Sequence, residues 1–188
     1  MLTITIPVKQ LEQWDENTEQ FVYMTVGKEQ TLQLEHSLVS ISKWESKWHR
    51  SFLHALEKSN LTHDETVDYI KCMTLTKNVD SDVYEFLTED NMKEINAYIS
   101  DSMTATTIND GPSKTHNREI ITSELIYYWM ISFNIPFECE KWHINRLLML
   151  IRVCNVKNQP TKKMSRREIM NRNAAINAAR RKQINSKG

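Results

Sequence analysis

Residues 31–52 read TLQLEHSLVSISKWESKWHRSF, and the hydrophobic period changes inside that stretch. Thr31–Glu35 alternates apolar and polar side chains, the two-residue period of a strand. After His36 the apolar residues Leu38, Ile41, Trp44, Trp48, Phe52 and Leu56 step by three or four, the spacing of one helix face. Lys43, Lys47, Arg50 and Glu57 fall on the opposite side. The periodicity therefore puts Trp44 and Trp48 on an inward stripe, so they read as core residues before they read as a recognition pair. His49 and Arg50 follow Trp48 directly, which places it nearer the edge.

Outward from that switch, the two halves of the chain keep their own periods. Toward the N-terminus, Leu2–Ile6 alternates with β-branched residues and stops at Pro7. Trp14-Asp15-Glu16-Asn17-Thr18 reads as a turn, and Phe21–Val26 is a second β-rich run closed by Gly27. Toward the C-terminus, Thr62-His63-Asp64-Glu65 has the form of a capping box ahead of Val67, Ile70 and Met73. Asn78–Asp82 opens a short helix or turn, and Met92, Ile95, Tyr98 and Ile99 mark another helix. Thr104–Asn117 lacks a period and contains Gly111-Pro112, the signature of a mobile loop. Arg118–Phe133 is apolar on nearly all sides after Glu124, which predicts a helix central to a bundle. Pro136 stops it, and Glu138–Cys154 predicts one further apolar helix. Lys157–Lys163 is a polar link. Ser165-Arg166-Arg167-Glu168 forms a second capping box, opening a helix that runs to about Gln183 before a frayed end.

The fold expected is mainly α: a helical bundle with a small N-terminal antiparallel β element and a basic C-terminal helical arm, α+β by strict count. Three segments follow, 1–36, 37–156 and 157–188. A chain of 188 residues can bury a core of its own. No window approaches the 18 or more apolar residues of a membrane span, and Met1–Val8 is too short and lacks the basic lead of a signal peptide. Three widely separated cysteines, Cys72, Cys139 and Cys154, predict reduced thiols in a cytosol.

The formal net charge of zero conceals a split. Lys157–Gly188 carries ten Lys or Arg and one acid, Glu168, for +9; the remaining 156 residues carry 14 basic and 23 acidic side chains, for −9. The chain is an acidic body with a basic arm, which speaks to partners more than to fold.

Signatures of catalysis and cofactor binding are missing from the sequence. Phosphate loops need glycines for close backbone approach, and only Gly27, Gly111 and Gly188 occur. Cys139 and His143, four apart, would share a helix face, but no further ligands show metal spacing and helix packing explains them more simply. Asp80-Ser81-Asp82 lacks the glycine and distal Glu of a calcium loop. Cys72 and Cys154 lie in apolar periodic segments, where cysteine acts as a small hydrophobe. No cofactor, no metal and no enzymatic activity is expected.

The arm has more content. Arg166, Arg167, Arg172, Arg180, Arg181 and Lys182 are the candidate partner-binding residues. Ala174, Ala175, Ala178 and Ala179, with Ile169, Met170 and Ile176, add a modest apolar stripe that a partner helix could cover. Docking on a protein, or on the acidic body of another copy, ranks ahead of a solubilising tail. Nucleic-acid contact by counterion release ranks third, because no aromatics interleave with the cations for stacking.

Four segments, residues 31–52, DYIKCMT (68–74), EIITSELIYYWM with IPFECEKWHINRLLMLIRVC (119–154), and KKMSRREIMNRNAAINAARRKQINSKG (162–188), together resemble the tail assembly chaperones of tailed bacteriophages. The resemblance covers most of the chain and carries no catalytic signature. It implies a mainly helical, non-enzymatic protein of the host cytoplasm that binds the tape measure and tail tube proteins while the tail is built and is generally absent from the finished particle. The alternatives are a structural virion protein of the tail or neck, for which an N-terminal strand could dock by strand pairing, and a nucleic-acid-binding protein acting through the arm.

Overall fold

The computed structural model describes residues 1–15, 20–26, 29–108, 119–158 and 165–184. The chain divides into two compact units, Met1–Asn155 and Val156–Gly188. It is mainly helical with a small antiparallel β element, as the period switch predicts.

Four strands open the first unit. β1 (Leu2–Ile6) pairs antiparallel with β4 (Gln30–Leu34), Leu2 opposite Leu34 and Ile4 opposite Leu32. Between them β2 (Lys9–Asp15) pairs with β3 (Gln20–Val26), Lys9 opposite Val26 and Asp15 opposite Gln20. Pro7 has no N–H to donate, and the outer ladder ends at Ile6 beside it. Strand β2 is not legible in the sequence, because Lys9, Gln10, Glu12, Gln13 and Asp15 leave too few apolar positions to show a period. Trp14 and Asp15 end this strand and do not lead a turn; residues 16–19 and Gly27 lie outside the described residues.

The alternation of the outer pair has a clear consequence. Ile4, Ile6, Leu32 and Leu34 are all buried in one hydrophobic cluster with residues from the helices. The outer strand pair is thus built into the body. Backbone bonds extend the junction: Glu35 N–H donates to Met73 O at 2.9 Å, Leu75 N–H to Gln33 O at 2.8 Å, and Ile144 N–H to His36 O at 2.7 Å.

The stripe from Leu38 to Leu56 is two helices, not one. α1 (Leu38–Trp48) begins at a capping box between Ser37 and Ser40 and ends at His49, which takes the left-handed conformation at φ 52°. Ser51 then caps α2 (Phe52–Glu57). Three successive steps of four residues drift about 120° around a 3.6-residue helix, so one straight helix could not keep Trp44 and Leu56 on one face. The break resets the phase. Leu38, Ile41, Trp44 and Phe52 are buried, while Leu56 is 36% exposed.

α3 (His63–Met73) starts at the Thr62–Glu65 capping box and buries Tyr69, Ile70 and Met73. A 3-10 turn at Ser81–Phe86 follows, with Asp80 as its cap and Tyr84 buried. α4 (Glu89–Ser100) buries Ile95, Tyr98 and Ile99. Of the expected mobile loop, residues 104–108 are irregular and 109–117 lie outside the described residues.

α5 (Ser123–Ser132) departs from expectation. It is not enclosed: Ser123, Ile126 and Met130 face the core, but Tyr128 and Ile131 face outward. The apolar helix predicted over 138–154 is also divided. A 3-10 turn at Phe137–Lys141 is followed by extended Trp142, and α6 runs from Ile144 to Asn158. Cys139 and His143 therefore do not share a helical face. His143 instead forms a β-bridge with Ser37.

The second unit contains α7 (Arg166–Ile184), opened by the Ser165–Glu168 capping box. Its 19 residues include no buried side chain.

Candidate functional site

A buried polar centre lies where β4, α1, α3, α4 and the start of α6 meet. His36 Nδ1 is hydrogen-bonded to the Tyr69 hydroxyl, which also lies 3.4 Å from Ser40 Oγ. The His36 and His143 rings meet edge to face with centroids 5.0 Å apart. His143 Nε2 sits 3.0 Å from Tyr98 O, and its Nδ1 accepts Asn145 N–H at 3.3 Å. A carbonyl only accepts, so Nε2 carries the proton and the tautomer is set. Tyr98 hydroxyl donates to Glu35 Oε1 at 2.6 Å.

The centre is sealed. Burial, with a smaller contribution from His143, lowers His36 to a pKa of about 3, and burial likewise lowers His143. Burial also raises Tyr69 and Tyr98 above the usual phenol range. All four groups are held neutral. Both imidazoles are thus held in their neutral form by the packing around them.

A groove of about 400 Å³ opens beside Trp48. Its wall includes Lys47, Trp48, Asp68, Lys71, Tyr84 and Leu87. Several of the polar groups there serve one another. Trp48 Nε1 donates to Asp68 Oδ2 at 2.9 Å, Lys47 is paired with Asp68, and Lys71 lies over the Tyr84 ring at 5.4 Å. His63, Asp64 and Glu85 also line the groove, so it carries titratable side chains beside these paired ones.

Among the described residues no group of three or more His, Cys, Asp or Glu could hold a metal ion. Burial pushes the Cys72 and Cys139 thiols up, away from the thiolate that nucleophilic chemistry requires. Among the same residues no helix is long and apolar enough to cross a membrane.

The arm is where the chain turns its chemistry outward. Ser165 N–H donates to Glu168 Oε2 at 2.7 Å and Glu168 N–H to Ser165 Oγ at 3.2 Å. The backbone N–H of Ser165, then its hydroxyl, holds the Glu168 carboxyl below the usual range. Alanines at 174, 175, 178 and 179 supply helix propensity. Arg180, Arg181 and Lys182 lie near the C-terminal end, where cations complement the helix dipole.

All six predicted residues, Arg166, Arg167, Arg172, Arg180, Arg181 and Lys182, are on this one helix and exposed. At 1.5 Å per residue they span about 24 Å. They do not form one stripe. At 100° per residue, Arg166 and Arg180 fall about 40° apart, as do Arg167 and Arg181, while Arg172 and Lys182 lie on other sides. Ile169 and Ile176, seven apart, share a line within about 20°, and Arg172 and Arg180 flank it.

Comparison of the chain with family models, with curated proteins and with solved structures gave no match. The functional reading rests on the residues.

Sequence reasoning missed two features. The Glu45 carboxylate is buried between helix ends, although its position among Lys43, Ser46 and Lys47 reads as a solvated face. The outward face of α5 was hidden by its nearly uniform apolarity, which carries no phase from which to tell inside from outside.

Proposed function

We propose that this chain is a non-enzymatic tail assembly chaperone of a tailed bacteriophage, acting in the host cytoplasm. Its folded body carries a basic helix that engages tail proteins, the tape measure and the tail tube subunits, during assembly. One observation carries the reading: α7 has six cations on a capped 19-residue helix with no buried side chain. Helices in proteins draw most of their stability from a packed face, and isolated ones of this length are marginal in water. A helix with nothing buried is suited to a packing surface supplied from outside. The resemblance to tail assembly chaperones supplies the class of partner.

Co-expression with candidate tape measure and tail tube proteins, followed by capture on the tagged chain, tests the proposal. Retention of either protein is expected, and its loss when Arg166, Arg167, Arg180 and Arg181 are changed to Glu. Failure to retain both overturns the reading. Mass spectrometry of purified particles separates a chaperone, absent from them, from a virion component present in many copies.

A second reading draws on the distribution of cations around the whole circumference of α7. Contacts to a phosphate backbone need no single face, so nucleic acid is the alternative partner. It predicts binding to duplex DNA or RNA that falls steeply with salt; no shift at low salt removes it.

A further inference from the structure

The outward side of α5 is an apolar surface with no partner in the described structure. Tyr128 is 63% and Ile131 61% exposed, and Phe137, just beyond the helix, is 56% exposed. These residues are contiguous. Tyr128 and Ile131 are three apart on the helix, and Tyr127 is one turn from Ile131. The Tyr127 ring in turn lies 6.5 Å from that of Phe137. Contiguous exposed apolar side chains of this size mark interaction sites, and tyrosine is among the residues favoured at their centres.

The border of the patch is acidic. Glu124 lies one turn before Tyr128, Glu138 adjoins Phe137, and Glu140 accepts the Tyr127 hydroxyl at 2.9 Å. Residues 119–141 hold four carboxylates and one cation, Lys141. An occupant should therefore offer apolar anchors among positive charges. Helix α7 has that composition: Ile169 and Ile176 lie on one line, with Arg172 and Arg180 flanking. With a body at −9 and an arm at +9, every copy carries both halves of such a contact.

We propose that α7 of one copy docks on the Tyr128–Ile131–Phe137 face of a second copy, and that reciprocal exchange of arms makes a dimer. Arm meets body twice, related by a two-fold axis, so the association is isologous and closes at two copies. The inference stands apart from the tail-protein reading, because it requires no other protein.

Sedimentation velocity on the full chain tests it. At low salt the parent should sediment as a dimer, and molar salt should shift it to monomer, since charges at an exposed rim are screened. Ile131→Lys removes the docking face and Ile169→Glu removes the anchor; each alone should abolish the dimer. Both side chains are exposed, so the folded secondary structure should persist by circular dichroism, and Tyr128→Lys provides a second test of the face. The decisive sample is an equal mixture of Ile131→Lys and Ile169→Glu. One retains an intact arm and the other an intact face, so the mixture should regain a dimer boundary through one contact. A parent that is monomeric at low salt overturns the proposal, as does self-association that either substitution leaves intact. A mixture that stays monomeric does the same. No tail protein is in the cell, so these outcomes leave the capture experiment above unaffected.

Discussion

Glu45 accepts the backbone N–H of Ser123 across 78 residues of sequence, at 2.7 Å, with its other carboxylate oxygen on the N–H of Phe52 at 2.9 Å. One side chain of α1 thus caps the first residues of both α2 and α5. The first N–H groups of a helix have no partner within it, and a carboxylate there also meets the positive end of the dipole. Glu45→Ala should leave two donors unsatisfied and cost about 2–4 kcal/mol, measured by chemical denaturation. Glu45→Gln keeps one acceptor and should cost less. No loss for Glu45→Gln beside a full loss for Glu45→Ala would mean that the side chain acts by bulk alone.

Trp44 and Trp48 should differ in their contribution. Trp44 is fully buried and its indole N–H donates to Glu65 O at 3.0 Å. Trp48 stacks on it at 6.0 Å but is partly exposed, bonded to Asp68 at the surface. Trp44→Ala should cost about 3–5 kcal/mol and Trp48→Ala about 1–2 kcal/mol. Thermal or denaturant unfolding of the two variants, side by side, reads the order directly.

The buried imidazole predicts loss of stability in mild acid. His36 titrates at about 3 in the folded chain, against the ordinary 6.5 in the unfolded one. Below about pH 6.5 the unfolded state takes up a proton that the folded state refuses, so stability falls with pH through that window. Between about pH 6.5 and pH 5, before most carboxylates titrate, His36 alone should remove about 1.5 kcal/mol. His143, lowered by the same cause, adds to the fall. His36→Gln should be less stable at neutral pH and show a shallower dependence. Denaturation curves at the two pH values, for both proteins, check the difference of slopes; parallel slopes would remove His36 from this role.

Thiol labelling should follow burial. Cys139 is buried and Cys72 partly so, with both thiols held up toward their protonated forms. At neutral pH Cys139 should react with an alkylating reagent only on the timescale of unfolding, and denaturant should bring it to the rate of a free thiol. Peptide mass mapping of the labelled chain separates the sites. Rapid labelling of Cys139 in the native protein would contradict the packing described.

The arm should be digested first. Trypsin has Arg166, Arg167, Arg172, Arg180 and Arg181 on a helix without buried side chains, and a brief digest should leave a fragment close to Met1–Asn155. Ser165→Ala removes the hydroxyl that accepts Glu168 N–H and should lower far-ultraviolet helicity and hasten this cleavage. Cleavage within 37–100 at a comparable rate would show the body to be the weaker part.

Much of the fold is written in local pattern. Capping boxes at Thr62–Glu65 and Ser165–Glu168 are short-range hydrogen-bond arrangements, so they can be read from four residues and recur in the structure as read. The change of period after His36 and the charge split at the arm are equally local. Residue spacing, however, cannot tell where a long stripe breaks. His49 and Ser51 reset the helix because Phe52 and Trp44 must meet the same core, and Pro136 and Trp142 divide the next apolar run for a similar reason. The inside of α5 has no signature in a sequence that is apolar all round. The Glu45–Ser123 bond depends on two positions that only the packed body brings together. Patterns set by backbone hydrogen bonding within a few residues were decided by the sequence itself. Which apolar face is covered, and which charge is buried, depended on long-range packing and became visible only in the tertiary structure.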